Sequence, residues 1–262
     1  MLIESTAHLP ISLAIFQDIF HAPNSESLLR IIFRWAHFVA GITWIGLLYF
    51  FNLVNVPVQK ALDPETKKKV NPDLLSRALW YFRWGAVFTV LAGLAYFAMY
   101  ILKGDVANAN TLGGGHVNLW LVLIVWLIIP CVAFAIEFLI IKKVAAITKD
   151  GRVFAVVVII LIIGMCWAIL CYLEYALTVN GENWTSNKTF SIGLGGAMGV
   201  MMMLNVWGII WPNQKKILGL APATDEQKAA ARKTALLASR TNFVLSIPML
   251  MCMGGQSHGL PF

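Results

Sequence analysis

RWAHFVAGITWIGLLYFFN, the stretch formed by residues 34–52, has no Asp, Glu, Lys or Arg after Arg34. Its length matches the roughly 20 apolar residues that a helix needs to cross the hydrocarbon core of a membrane. Other apolar segments follow it along the chain, and 59% of all residues are hydrophobic whereas 13% are charged. So few charges cannot solvate a globular protein of this size. The sequence therefore predicts an integral membrane protein.

Apolar segments recur along the chain and predict an all-α integral membrane protein with about six transmembrane helices in one bundle. The predicted spans cover residues 31–56, 79–102, 117–141, 153–179, 190–211 and 242–255. We expect an N-terminal periplasmic or interfacial segment over residues 1–29 and a transmembrane domain over residues 30–262. The alanine-rich, charged residues 221–240 predict a helix on the cytoplasmic surface, which starts with a capping box formed by Thr224 and Gln227.

The distribution of basic residues predicts the orientation of these spans. Lys and Arg concentrate in the loops after spans one, three and five, whereas the loops after spans two and four contain only Lys103 and Lys188. Loops rich in Lys and Arg remain in the cytoplasm, so we expect both termini on the opposite side of the membrane. The net charge of +7 is explained by this topology and does not indicate nucleic acid binding.

On the predicted topology all five histidines belong to the outer half of the protein, and His37 alone lies within a span. It follows Arg30 by seven residues, which places it roughly 10 Å along the helix. A titratable group at that depth is costly unless it is paired or bound to a ligand. The other histidines are His8, His21, His116 and His258.

The helix face that carries His37 also carries Gly41 and Trp44, because residues at i, i+4 and i+7 share one side of a helix. Such a face suits a flat aromatic ligand: the imidazole could bind haem iron, Gly41 leaves room for a macrocycle edge, and Trp44 could stack on it. Arg30 or Arg34 could pair with haem propionates. The alternative is a histidine that is hydrogen-bonded to a neighbouring helix.

A second axial ligand would have to come from the same side of the membrane. His258, after span six, and His116, before span three, are the candidates, and each has an ordinary interfacial role as its alternative. The sequence has no C-x-x-C-H motif for covalent haem attachment, so the predicted cofactor is haem b. An outer site for copper or another metal remains an alternative.

Several polar residues inside the spans also require partners. Glu137 lies close to the predicted cytoplasmic interface, which favours a solvated or paired carboxylate over a proton relay. Arg83 is expected to anchor span two at that interface or to bind lipid phosphate. Asn205 must bond across helices, with Asn242 as a possible partner, and Glu174 could support an outer imidazole or form an interhelical hydrogen bond.

Four segments resemble the membrane domain of the bacterial membrane-bound urate oxidases, also called urate hydroxylases. They are residues 34–52, RALWYFRWGAVFTVLAGL at 77–94, MMMLNVWGIIWPNQKK at 201–216 and ASRTNFVLSIPMLMCMGGQSH at 238–258. The resemblance implies a multi-pass protein of the bacterial inner membrane. In that family further helices and a C-terminal cytochrome c domain follow, and the cytochrome takes the electrons. This chain ends at Phe262 without that domain, so we expect another subunit to take them.

The spacing of His37, Trp44 and Tyr49 is also similar to that in a family of small membrane protoporphyrinogen oxidases. In those proteins the equivalent histidine is a haem ligand. The similarity implies the same role for His37.

Three functions follow as expectations. The first is a haem-bearing membrane subunit that passes electrons within a larger respiratory or oxidative complex. The second is a urate-oxidase-like oxidoreductase that acts on a small molecule and uses a separate cytochrome c. The third is a cofactor-free structural accessory subunit. The expected partners are other subunits of a membrane complex, cytochrome c or another electron carrier, and lipids.

Overall fold

The computed structural model describes residues 24–256, which are almost entirely helical. Six helices are long and apolar enough to cross a membrane, so the prediction of an all-α protein with six such helices is confirmed. They are α1 (Ser25–Ala61), α2 (Pro64–Thr111), α3 (Leu119–Lys143), α4 (Gly151–Ala176), α5 (Asn187–Ile217) and α6 (Asp225–Gly255). A short helix, Ala145–Lys149, connects α3 to α4, and strands β1 (Thr178–Val179) and β2 (Glu182–Asn183) form a hairpin between α4 and α5.

A polar side chain caps the N-terminus of each long helix by accepting hydrogen bonds from backbone N–H groups that have no partner within the helix. At the start of α2, Asp63 accepts bonds from the backbone of Glu65 and Thr66 and from the Thr66 hydroxyl. The bonds from Thr66 lower the pKa of Asp63. The capping residues are Asn24, Asp63, Asn118, Asp150, Ser186 and Thr224.

Three of the long helices contain a π-helical stretch, at Phe50–Asn55 in α1, Ala98–Leu102 in α2 and Val206–Ile210 in α5. Pro57 follows the first stretch and Pro212 follows the third. A proline lacks an N–H donor and crowds the carbonyl four residues before it. The wider π turns let α1 and α5 continue through these positions without a break.

Helix α5 is the centre of the bundle and packs against α2, α3, α4 and α6. Within the 18-residue apolar stretch of each helix, 67% of α5 is buried, compared with 11% of α1. Glycines on α5 let the neighbouring helices approach closely: a Cβ at Gly193 would lie 2.7 Å from Leu173 Cδ1, and one at Gly195 would lie 3.2 Å from Cys252 Cβ. Helix α1 packs mainly against α2, and much of its remaining apolar surface is exposed.

The sixth span differs from its prediction. The surface helix predicted over residues 221–240 and the short span predicted over 242–255 form one continuous helix, α6, of 31 residues. Its first half packs against the last turns of α5 because Ala231, Ala235 and Ala238 form a buried stripe. The charged residues occupy the other side, which made this half look like a surface helix. The capping box of Thr224 and Gln227 is confirmed.

At one end of the bundle, the loops after α2 and α4 are joined by hydrogen bonds. The carboxylate of Asp105, on α2, accepts bonds of 2.8 Å from both the backbone N–H and the hydroxyl of Ser186. Asn180 and Gly181 form the hairpin turn with positive φ angles of 52° and 82°, as a type I′ turn requires. The Asn180 amide donates to the Gly113 carbonyl at 2.8 Å. The contacts hold the start of α5 against α2.

Replacing Asp105 with Ala should lower the free energy of unfolding by about 1–3 kcal/mol, because two donors of Ser186 lose their acceptor in a buried setting. Thermal unfolding of the detergent-solubilised protein, followed by tryptophan fluorescence, measures the effect. Asp73→Ala, at an exposed position of the same helix, is the control and should leave the unfolding temperature unchanged. Equal unfolding temperatures for both variants would contradict the role given to Asp105.

Candidate functional site

His37 lies on α1, half-buried, at the contact with α2. Its Nδ1 is 2.8 Å from the backbone carbonyl oxygen of Thr89. A carbonyl oxygen can only accept a hydrogen bond, so Nδ1 must carry the hydrogen and donate it. In the neutral imidazole the lone pair is then on Nε2. The contact with α2 therefore fixes the tautomer whose Nε2 can bind a metal ion.

Gly93 provides the space that the imidazole occupies. A Cβ at this position would lie 2.6 Å from His37 Nδ1 and 2.7 Å from Cε1, closer than any side chain could tolerate. One helix turn earlier on α2 is Thr89, whose carbonyl accepts the bond from His37. The pair of Thr89 and Gly93 thus positions the ring from one side.

The other two residues of the predicted ligand face point toward α2. A Cβ at Gly41 would lie 3.7 Å from the Thr89 methyl group, and Trp44 is only 1% exposed, beside Gly85. At Gly41, where room for a macrocycle edge was predicted, α1 is in contact with α2. The alternative of a histidine hydrogen-bonded to a neighbouring helix is observed, whereas haem binding stays a prediction.

Two polar atoms at the contact between α1 and α2 have no hydrogen-bond partner among the described residues. They are Thr89 Oγ1 and Trp44 Nε1, and both are buried. A buried donor without a partner costs free energy, and such groups in native proteins commonly mark a functional site or a bound molecule. The helix pair therefore holds unused hydrogen-bonding capacity at this contact.

Arg30 and Arg34, predicted to pair with propionates, are both exposed on α1. The Arg30 guanidinium carbon lies 4.9 Å from the centroid of the Tyr100 ring on α2, a cation–π contact. Arg30 precedes His37 by about two helix turns, so it lies on the same side of α1. Both arginines are free to contact an anionic group at the surface of the α1–α2 pair.

His116 is separated from His37 in the bundle. It is exposed just before α3 and lines an open groove of about 520 Å³ between α3 and α4, together with Tyr172 and Tyr175. His258, His8 and His21 fall outside the described residues. Within residues 24–256 there is no group of three or more His, Cys, Asp or Glu side chains that could hold a metal ion.

Comparison with known proteins identifies the family. The family model described as urate oxidase N-terminal matches residues 64–262, which is well over half of the chain. The chain belongs to the urate oxidase N-terminal family. Neither the curated proteins nor the solved structures include a match. The matched residues contain Thr89 and Gly93 on α2, whereas His37 precedes them.

The part that matches the urate oxidase N-terminal model also contains a buried polar cluster at the junction of α3, α5 and α6. Glu137, Asn205 and Asn242 are each 0% exposed. The predicted bond between Asn205 and Asn242 is confirmed, with 3.0 Å between Asn205 Nδ2 and Asn242 Oδ1. Asn205 Nδ2 also donates to Glu137 Oε2 at 3.0 Å. Glu137 was expected to be solvated or paired. It is paired, through the bond from Asn205, and it is not solvated, because none of its surface is exposed.

Two further polar residues of the spans are placed by the structure. The Arg83 guanidinium carbon lies 3.7 Å from the centroid of the Trp211 ring, which suits the predicted anchoring role. Glu174 is exposed on α4, and its predicted role beside an imidazole stays a prediction.

Gly93→Ala should destabilise the protein by about 1–3 kcal/mol, because the added methyl group overlaps the His37 ring and displaces it from the Thr89 carbonyl. Gly104→Ala is the matched control, since no atom lies within 4 Å of a Cβ there, and it should be neutral or slightly stabilising. Thermal unfolding of both variants tests this. An unfolding temperature of Gly93→Ala equal to that of the wild type would show that the ring does not depend on this space.

Proposed function

We propose that this chain is a haem-bearing membrane subunit that passes electrons within a larger respiratory or oxidative complex, with His37 as an axial ligand of a haem b iron. The observation that supports it most is the bond of 2.8 Å between His37 Nδ1 and the Thr89 carbonyl. Histidines that bind a metal almost always donate their other ring N–H to such an acceptor, which fixes the tautomer and raises the basicity of the ligating nitrogen.

The residues around His37 fit a haem group in three respects. The imidazole is half-buried, so its ring is held by α2 and still reaches the surface of the helix pair. Arg30 and Arg34 are exposed on the same helix and carry the charge that would hold propionates. Thr89 Oγ1, on the residue whose carbonyl holds the ring, is buried without a hydrogen-bond partner in the described part of the chain. Gly41 and Trp44 face α2, so their role would be to pack α1 against α2.

Haem, when bound, supplies an iron that takes up and releases one electron at a time. The chain's own residues would bind and orient it: the Thr89 carbonyl holds the Nδ1 proton, and Gly93 keeps the ring in place. His258 and His116 remain the proposed second ligands. The predicted partners include other subunits, so the electrons would pass to a cytochrome c or another carrier. The exposed apolar surface of α1 would face lipid in a bacterial inner membrane.

The test is a dithionite-reduced minus oxidised spectrum of the purified full chain, produced in cells that are supplied with a haem precursor. The wild type should give a b-type signal, with about one haem per chain or more by pyridine haemochrome analysis. His37→Ala should lose the signal of the haem that His37 binds. Addition of imidazole should restore it, because free imidazole can enter the space left by the side chain.

Rescue by imidazole separates a lost ligand from a misfolded protein. A wild-type protein without haem would contradict the proposal and favour an accessory subunit. A signal that His37→Ala retains in full would assign the haem to other residues.

A second candidate function is a urate-oxidase-like oxidoreductase that uses a separate cytochrome c. The family membership supports it, because the matched model carries the name of urate oxidase. Membrane vesicles that contain the chain should then consume urate and reduce added cytochrome c, and vesicles without the chain should do neither. If the vesicles do not consume urate although their haem signal is intact, urate oxidation is rejected as the function and electron transfer is retained.

A further inference from the structure

Glu137, in the centre of the bundle, is a carboxyl group that electron transfer at His37 does not use. It lies on α3, hydrogen-bonds to Asn205 on α5 and has Thr241 of α6 beside it, and none of its surface is exposed. The described residues place no basic side chain within ion-pair distance of it, and the ion pair found among them joins Lys228 to Asp225. An ionised carboxylate at such a position would be costly, because neither water nor an opposite charge stabilises it.

The hydrogen bonds around Glu137 leave two oxygen atoms without a donor. Asn205 Nδ2 uses its two hydrogens for Glu137 Oε2 and Asn242 Oδ1, at 3.0 Å each. Asn242 Nδ2 donates to the Met202 carbonyl at 2.9 Å. Glu137 Oε1 and Asn205 Oδ1 are buried and have no hydrogen-bond partner among the residues that the structure describes. The Thr241 hydroxyl, on α6, lies near the carboxyl without making a hydrogen bond to Oε1.

The orientation of the Asn205 amide is fixed by its neighbours. Turning it over would direct its oxygen at Glu137 Oε2 and Asn242 Oδ1. Asn242 Oδ1 is an acceptor in either charge state of Glu137, because Asn242 Nδ2 donates to the Met202 carbonyl. The observed orientation satisfies both of them. The two oxygens that lack a donor therefore belong to a carboxyl and an amide that already share one hydrogen bond.

We propose that Glu137 and Asn205 form a proton-binding site in the core of the helix bundle, in which Glu137 is a neutral carboxylic acid. A proton from water binds to Oε1, and no other bond forms covalently or breaks. The new O–H donates to Asn205 Oδ1 while Asn205 Nδ2 donates to Oε2, so that acid and amide make a pair of reciprocal hydrogen bonds. One proton satisfies both oxygen atoms that lack a donor and removes the buried charge.

A metal cation is a poorer ligand for this site. Hard cations such as Ca²⁺ and Mg²⁺ take about six oxygen ligands in proteins, and Glu137 and Asn205 have one unpartnered oxygen each within the described part of the chain. The Asn205 N–H groups beside them would also repel a cation. The proton site stands on contacts of α3, α5 and α6 alone and does not depend on haem at His37.

The test is infrared spectroscopy of the full chain in lipid nanodiscs at neutral pH, in H₂O and in D₂O. The wild type should show the C=O stretch of a protonated carboxylic acid, and this band should shift in D₂O. Glu137→Gln should abolish the band. An amide at position 137 can make the same two hydrogen bonds with Asn205, so this variant should keep the wild-type unfolding temperature. Glu174→Gln, at an exposed position on α4, is the matched control and should retain the band.

Asn205→Leu provides a second variant. It removes the amide but keeps the acid, so the band should persist and move to higher frequency. A band that is absent from the wild type, retained in Glu137→Gln or unmoved in Asn205→Leu would overturn the proposal. A wild-type unfolding temperature that falls when Na⁺ is replaced by choline, and does not fall in Glu137→Gln, would identify a cation site instead.

Discussion

The Asn205 amide nitrogen joins three membrane helices, because its two hydrogens go to Glu137 on α3 and Asn242 on α6. The hydrocarbon core offers no water, so polar groups buried there must find partners inside the protein. A buried polar group that loses its partner costs about 1–3 kcal/mol, which is a large share of the stability of most proteins. The junction therefore fixes the positions of α3 and α6 around the central α5, and the contacts of α5 then position α2 and α4.

The two polar sites differ in what can reach them. His37 is half-buried between α1 and α2, at the margin of the bundle, and a backbone carbonyl holds it. A large flat ligand can approach an imidazole in that position. Glu137 is fully buried and hydrogen-bonded to the Asn205 amide, so a group as small as a proton suits it. The proposed haem site would thus lie at the surface of the bundle and the proposed proton site in its core.

Local patterns predicted the six long helices, the capping box and the bond between Asn205 and Asn242, because runs of apolar residues and isolated polar residues are visible in one segment at a time. Apart from the bond between Asn205 and Asn242, contacts between distant segments were not predictable in this way. The charges in the first half of α6 are typical of a surface helix, and its alanine stripe finds its partner only where α6 packs on α5. No local pattern indicates that Thr241 of the same helix lies beside Glu137. The partner of His37 is a backbone carbonyl, which no residue type announces, and Gly93 resembles any other glycine of a packed helix.

The central claim is that His37 binds haem iron through Nε2 while α2 holds Nδ1. Anomalous scattering at the iron absorption edge, measured on crystals of the purified protein, tests it most directly because iron gives a strong signal there and the atoms of the protein do not. The account predicts an iron peak within bonding distance of His37 Nε2, with Nδ1 still hydrogen-bonded to the Thr89 carbonyl. An iron peak at the groove of His116 with none at His37, or no iron peak at all, would contradict it.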